Sequence, residues 1–534
     1  MMGLFIRSST RLLQCAKCML STNVAMSSVI ANPVNRKRIN NQHIFNEIVE
    51  SDSLIIKKMK SNEIMQDEHW AAARKDLLET YNLTETNVDS KIYNLCQYYN
   101  RLDEAVHYFH FLERNNYEIP LIITGEYLRM FYTQDKTVTA EEEEEICRVY
   151  DNLRKKYPLL DAKTCSSCIL ALSLTKRWKE TLELLEMMKI TSNPGQSVMS
   201  AIISAAFRNQ EVPMGWTIMT EVIERYPLEP RVYKDYLTHI LNKVDKSKLQ
   251  EEMEKMFLFW GQHDIKPTEE VIMKYTNLYE SFGYTAKPTT VSKRGECSYC
   301  SQVLQATTLS KSDFKLLSTS VLSNLIIGKN VFCASSPQEL KRYLLFVRTM
   351  KPYDVVIDGL NVAYGARKAN EPGSLQSVLN VVNYFYNGRK RVLVMGRAHM
   401  NWWSKETMKA IHEKADVFLT KNISQDDPYL LHVTLLSGPQ TYFVSRDLMR
   451  QHKAKLDDVN LQIMFRRWQL SRQYKFTKEH KSHFVKLIPP LAFEISAQKN
   501  KANWHMPFST SHDLLLPQEY TIPPNWICLS KKKD

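Results

Sequence analysis

Two hydrophobic periodicities divide this chain of 534 residues. From about residue 85 to 290, apolar side chains recur at the three-to-four spacing of a buried helical stripe, and glycine is sparse. Segments such as Trp178-Lys179-Glu180-Thr181-Leu182-Glu183-Leu184-Leu185-Glu186-Met187-Met188 and Val198-Met199-Ser200-Ala201-Ile202-Ile203-Ser204-Ala205-Ala206 predict successive amphipathic helices. Boundaries between helix pairs fall at Pro120, Asp161, Pro194, Pro230 and Pro267, at intervals of 41, 33, 36 and 37 residues. The acidic run Glu141 to Glu145 stretches the first interval. Two helices per unit of about 35 residues predict an α-solenoid, in which each pair buries its apolar face on the next.

From about Leu340 to Trp468 the pattern alternates between helix and strand. It predicts helices over Pro337 to Met350, Ser374 to Tyr386, Trp403 to Ala415 and Pro428 to Leu436. It predicts strands over Tyr353 to Ile357, Arg391 to Met395, Val417 to Leu419 and Thr441 to Ser445. Four βα units make a parallel sheet covered by helices on both faces. The fold class is therefore α plus α/β, in several domains, as the length also requires. No run approaches the ~18–20 apolar residues of a membrane span, so a soluble chain without membrane attachment is expected.

Charge narrows the partner. Lys+Arg 71 against Asp+Glu 58 gives a net charge of +13, which favours a polyanion such as nucleic acid. Residues 1–46 are basic and Ser-rich and hold no acidic residue, the composition of a mitochondrial transit peptide. Import into the mitochondrial matrix is expected.

Ten cysteines include three C-x-x-C pairs. Cys15 and Cys18 lie in the presequence, and Cys165 and Cys168 fall in a solenoid helix, where small thiols pack well. Cys297 and Cys300 instead follow the helical array in the Gly-containing turn Arg294-Gly295-Glu296-Cys297-Ser298-Tyr299-Cys300. One such pair supplies two of the four ligands of a structural zinc. His505 and Cys528, in the C-terminal tail, are candidates for the others; free thiols are the alternative.

Asp358, Asp426, Asp427 and Asp447 stand where apolar runs give way to helix or turn. Strand C-terminal ends of a parallel sheet line one crevice, so these carboxylates converge and need a divalent cation to offset their repulsion. Each also has an ordinary structural use. Asp358 before Gly359 can form a turn, Asp427 before Pro428 an N-cap, and Asp447 can cap a helix starting at Leu448. Asp354, Asp457 and Asp458 fit no cluster and read as solvated charge.

The strings Asp358-Gly359-Leu360-Asn361-Val362-Ala363, Ser424-Gln425-Asp426-Asp427-Pro428-Tyr429-Leu430-Leu431 and Ser445-Arg446-Asp447 closely resemble the NYN/PIN-like metallonuclease of the protein-only ribonuclease P family. Leu360 and Ala363 resemble its animal mitochondrial branch. That family joins pentatricopeptide repeats, a split zinc-binding central domain and the nuclease, in this order. The resemblance implies a pentatricopeptide solenoid over 47–285, a central domain over 286–336 and 485–534, and a nuclease over 337–484. It implies that Asp358, Asp426, Asp427 and Asp447 hold two Mg²⁺, with Mn²⁺ as a substitute, and that Cys297, Cys300, His505 and Cys528 hold Zn²⁺. Asn361 and His399 are expected to support the active site.

The implied activity is endonucleolytic removal of the 5′ leader from mitochondrial precursor tRNA, leaving a 5′-phosphate. The implied partners are a tRNA methyltransferase subunit and a short-chain dehydrogenase subunit. The competing readings are an endonuclease acting on other mitochondrial transcripts and a non-catalytic pentatricopeptide RNA-binding protein.

Overall fold

The computed structural model describes residues 41–61, 63–134, 136–223, 225–321, 337–365, 374–421, 427–449, 452–453, 456, 458–478, 485–510 and 521–531. The expected presequence up to residue 40, with Cys15 and Cys18, lies outside them, as does Asp457. Two compact units divide between Ile123 and Thr124. Among the described residues no helix is long and apolar enough to cross a membrane.

The first unit contains helices Asn41–Glu50, Leu54–Lys60, Asp67–Thr80, Glu85–Tyr98 and Leu102–Arg114. Trp70, Tyr93 and Tyr108 are buried together, with the Trp70 and Tyr108 rings 4.7 Å apart. Such large rings dominate the apolar area that a small helical layer can bury. The core also holds a charge, Arg74, whose Nε lies 3.1 Å from Asp89 Oδ1; Tyr108 donates to the same carboxylate at 2.5 Å.

In the second unit the helical pattern runs to Tyr279. Asp161 caps helix Ala162–Leu172 by accepting from the Lys163 and Thr164 amides, and Pro230 opens helix Pro230–Lys243. Helix Gln196–Arg208 packs on both of those helices as well as on its sequence neighbour Val212–Val222. It therefore buries ten consecutive residues, Val198 to Phe207, where a surface helix would bury a stripe. Cys165 and Cys168 are fully buried in this packing, as their helical position predicts.

Ten strands follow. These are β1 (Tyr284–Thr289), β2 (Val355–Asp358), β3 (Val392–Arg397), β4 (Asp416–Thr420) and β5 (Tyr442–Val444), then β6 (Gln473–Lys478), β7 (Val485–Ile488), β8 (Gln498–Asn500), β9 (Asn503–Pro507) and β10 (Trp526–Lys531). One sheet has the order β4-β3-β2-β5-β6-β7, with β2 to β6 parallel to their neighbours and β7 antiparallel to β6. The other, antiparallel, has the order β1-β10-β9-β8.

The four expected strands are present, and the structure adds β6 and β7. The residues of β6 leave helix Val459–Arg472 without a Gly or Pro break, which hides the change from helical to alternating period. The six-stranded sheet runs to Ile488, past the expected edge of this region at 484. Helix Lys311–Val321 also belongs to it, because Leu317 and Val321 are buried with Tyr343, Val356 and Trp468. Helix Lys405–His412 starts two residues later than expected, where Ser404 accepts from the Thr407 amide.

No helix starts at Leu448: residues 445–449 are irregular. Asp447 Oδ1 instead accepts from the Met449 amide at 2.9 Å, a local Asx turn. Two aspartates read as solvated charge have structural work. Asp354 accepts from the Arg391 amide at 2.8 Å, and Asp458 caps helix Val459–Arg472.

Three regions of the second unit meet at Arg466, which is 4% exposed. Its guanidinium lies 3.0 Å from Asp264 Oδ1, beyond the end of helix Lys246–Gln262, and 2.8 Å from Glu494 Oε1, in the segment leading to β8. It also donates to the Gly261 carbonyl and to Ser496 Oγ, each at 3.0 Å. Trp504 of β9 meets Phe257 edge-on at 5.2 Å in the same seam.

Candidate metal centres and the aspartate crevice

In the larger sheet the chain passes from β2 outward to β3 and β4, then returns to place β5 on the other side of β2. The C-terminal ends of β2 and β5 therefore flank the switch point, where open α/β sheets form their ligand crevice. Asp358 ends β2 and Asp447 lies three residues beyond β5. Asp427 opens helix Asp427–Ser437, which leaves the same edge after β4 and packs on β2. Asp426 lies outside the described residues.

Asp358 is 5% exposed and held from two directions. Its Oδ1 accepts from the Asn361 amide at 3.0 Å, capping helix Gly359–Tyr364, and its Oδ2 accepts from the Ser445 hydroxyl at 3.0 Å. A carboxylate offers about four lone-pair directions, so capping a helix does not by itself prevent it from ligating a cation. The cap reading and the metal reading of Asp358 are thus compatible. Gly359 is required beside it, since a Cβ there would lie 2.8 Å from the Met395 carbonyl oxygen and 3.0 Å from Met400 Cε.

Asn361 has a second task. Its Oδ1 accepts from the Arg446 amide at 2.7 Å, tying the helix that Asp358 caps to the loop that carries Asp447. That loop is held again by Gln473, whose amide donates to the Ser445 and Asp447 carbonyls at 2.7 and 2.8 Å. The Ser445 hydroxyl also accepts from the Asp447 amide at 3.1 Å, so one serine contacts both aspartates. Ser445 and Gln473 were not expected as site residues. The position of Ser445 at the end of an apolar run, two residues before Asp447, was the available signal for it.

His399 is half-buried in the turn Ala398–Trp402, just beyond β3, with its ring 5.2 Å from that of Trp403. It stands at the crevice edge of the sheet.

The second centre lies on the smaller sheet. His505 of β9 and Cys528 of β10 are cross-strand partners, and Cys297 and Cys300 lie in the turn beyond β1. The four ligand atoms all lie within 4.8 Å of one another. His505 Nε2 is 3.2 Å from Cys300 Sγ and 3.7 Å from Cys528 Sγ. The turn needs Gly295, whose φ is +82° and where a Cβ would meet the Phe493 ring at 2.8 Å.

Electrostatics sort these ligands. Burial lowers the His505 pKa to about 4, so the imidazole is neutral and able to ligate at neutral pH. Burial pushes the Cys528 thiol well up, helped by the neighbouring Cys297 and Cys300. Burial also raises Cys297, but amide donors from Cys300 and Tyr299 and the Thr289 hydroxyl outweigh it and hold this thiol below its ordinary value. Three sulfurs and one imbedded imidazole within bonding reach suit a soft tetrahedral cation, whereas the all-oxygen crevice suits a hard one.

The sequence has known relatives. A family model described as "Protein-only RNase P" matches residues 291–528. The Mus musculus protein named mitochondrial ribonuclease P catalytic subunit is 30% identical over 423 residues, covering 77% of this chain and 70% of that relative. The Rattus norvegicus protein of the same name is 30% identical over 421 residues, covering 77% of this chain and 69% of its own. Among solved structures, nuclear proteinaceous RNase P 2 from A. thaliana aligns over 84% of this chain and 100% of that chain, at 16% identity and a TM-score of 0.44.

Proposed function

This chain belongs to the protein-only RNase P family, and on that premise we propose that its aspartate crevice is the catalytic centre of a mitochondrial endoribonuclease. The enzyme removes the 5′ leader of precursor tRNA, giving a 5′-phosphate on the tRNA and a 3′-hydroxyl on the leader. The observation that carries the site assignment is the meeting of Asp358 and Asp447 on Ser445, at the switch point of the sheet and within the residues that match the family.

Asp358, Asp426, Asp427 and Asp447 are the proposed ligands. Their oxygens suit Mg²⁺, with Mn²⁺ as a substitute. When bound, a pair of such ions supplies a water of lowered pKa and counter-charge for the leaving 3′ oxygen. The protein's part is positional. Asn361, Ser445 and Gln473 hold two of the carboxylates in place before RNA arrives, which lowers the cost of organising the site in the transition state. His399 borders the crevice from β3.

Cys297, Cys300, His505 and Cys528 are assigned to one structural Zn²⁺, which closes the smaller sheet over a separation of 205 residues between Cys300 and His505. The helices over 47–285 are assigned as a pentatricopeptide solenoid that grips the folded tRNA through phosphates and exposed bases. The central domain is assigned to 286–336 and 485–534 and the nuclease to 337–484, except that Lys311–Val321 and Val485–Ile488 go with the nuclease core. A tRNA methyltransferase subunit and a short-chain dehydrogenase subunit are the proposed partners in the matrix.

The test is Asp426→Asn with Asp427→Asn in a precursor-tRNA assay, with cut sites mapped and RNA binding measured. Cleavage is expected to be lost with the carboxylates that would hold the metal ions, while binding stays. Unchanged cleavage overturns the assignment of the centre.

A further inference from the structure

We propose that Trp402 is a stacking platform for an unpaired RNA base beside the scissile phosphate, an inference that rests on the ribonuclease reading above. At 83% exposure Trp402 is the most exposed large apolar side chain among the described residues. A single exposed apolar side chain is ordinary by itself; what marks this one is its place at the crevice rim, beside further aromatic rings.

The ring stands on a fixed base. Trp402 ends the turn Ala398–Trp402, whose Met400 is fully buried. Met400 Sδ and Cε fill the space that side chains on Gly396 and Gly359 would take, at 2.3 and 3.0 Å from the positions of their missing Cβ atoms. Gly359 directly follows Asp358, so this turn is packed against the aspartate crevice. The next residue, Trp403, meets Tyr364 edge-on at 5.5 Å and His399 at 5.2 Å. Tyr364 is 44% exposed and ends the short helix that Asp358 caps. Aromatic rings thus line the rim from that helix to Trp402.

The surroundings select the ligand. Lys405 and Lys409 are exposed on the helix that borders this rim, with Glu406 between them, and the exposed Arg446 donates to the Gly365 carbonyl beyond Tyr364. Exposed aromatics among cations hold single-stranded RNA, the rings taking bases and the cations following the phosphates. Stacking is indifferent to base identity, because every base offers a π face. Such a contact would suit an enzyme that cuts precursors differing in sequence at the junction. A base pair inside a stem is stacked on both faces, so the ligand of this proposal is the unpaired nucleotide flanking the cut.

The experiment uses the full chain with and without accessory subunits, comparing Trp402→Ala and Trp402→Phe. Precursor tRNAs carry an abasic nucleotide at one position at a time around the cleavage site. Trp402→Ala is expected to lower kcat/KM on the order of tenfold, with Trp402→Phe close to the parent. At one position the abasic substitution costs the parent the same factor and costs Trp402→Ala nothing further. 2-Aminopurine at that position reports the stack by its fluorescence, whether or not cleavage occurs. Thermal unfolding checks that the exposed substitution leaves the fold intact.

The proposal is overturned if Trp402→Ala cuts every precursor at the parent rate. It is overturned too if no abasic position abolishes the difference between parent and variant. A loss seen only with accessory subunits, together with weaker assembly, makes Trp402 a protein contact instead. A parent chain that cuts no precursor even with those subunits counts against the ribonuclease reading, whereas the fluorescence still judges the stack.

Discussion

The Ser445 hydroxyl donates to Asp358 Oδ2 at 3.0 Å, so the serine after β5 holds the aspartate that ends β2. The same oxygen receives the Asp447 amide. Position along the chain separates Ser445 from Asp358 by 87 residues, and the parallel pairing of β2 with β5 brings them together.

Ser445→Ala is therefore expected to damage catalysis more than folding. The substitution removes two hydrogen bonds, the one to Asp358 and the one from the Asp447 amide, but Asp358 keeps its bond from the Asn361 amide, so the cost to stability is about 2–4 kcal/mol. Loss of orientation at a metal ligand typically costs 10–100-fold in metal affinity or activity. A Mg²⁺ titration of cleavage is expected to show a higher half-saturating concentration and a rate at least about tenfold lower at fixed Mg²⁺. An unchanged titration removes Ser445 from the site.

Arg466→Met is expected to loosen the seam between the helical array, the smaller sheet and the nuclease. It removes the cation facing Asp264 and Glu494 and leaves Glu494, 6% exposed, without its closest charge partner. Stranding a buried charge costs about 3–5 kcal/mol. Pairing the change with Glu494→Gln should recover part of that loss in denaturant unfolding. If the two effects simply add, Arg466 and Glu494 are not coupled, and the ion pair contributes nothing specific.

What the sequence discloses here follows interaction range. Helices such as Gln196–Arg208 and strands such as β2 have local periodicity, and Asp161 and Pro230 mark their boundaries locally. The aspartates of the crevice stand out because strand ends are visible as ends of apolar runs. Ser445, Gln473 and Arg466 do not stand out, since each acquires its role from partners distant in sequence. Asp447 shows the limit of local reasoning: a helix at Leu448 was plausible from capping alone, yet the chain forms an Asx turn, held by Gln473 from β6.

The two C-x-x-C pairs among the described residues should respond differently to substitution. Cys297→Ser removes a proposed ligand from the cluster with Cys300, His505 and Cys528, so bound zinc should fall from one ion per chain to none. Apparent binding energies of about 10–16 kcal/mol for structural zinc imply a large fall in melting temperature and easier proteolysis of the tail. Cys165→Ser, in helix Ala162–Leu172, should lower stability modestly while zinc content stays the same. Metal analysis by mass spectrometry decides; equal zinc in both variants excludes the assigned site.

His432 supplies a dependence on pH. It lies on helix Asp427–Ser437 and is 3% exposed, with Nδ1 2.7 Å from the Tyr343 hydroxyl and Nε2 buried without a hydrogen-bond partner among the described residues. Burial lowers its pKa from 6.5 to about 4. Between these values the unfolded chain binds a proton that the folded chain refuses, so stability rises with pH across the interval. The contribution is complete above about pH 6.5 and is lost as pH falls toward about 4, with an upper size of about 3 kcal/mol. His432→Gln cannot take up that proton, so its unfolding free energy should decline less over this window than the parent's. Parallel stability curves for the two proteins from pH 7 to 4 refute the assignment. Because helix Asp427–Ser437 begins at a proposed metal ligand, acid should loosen the crevice at the same protonation step that destabilises this helix.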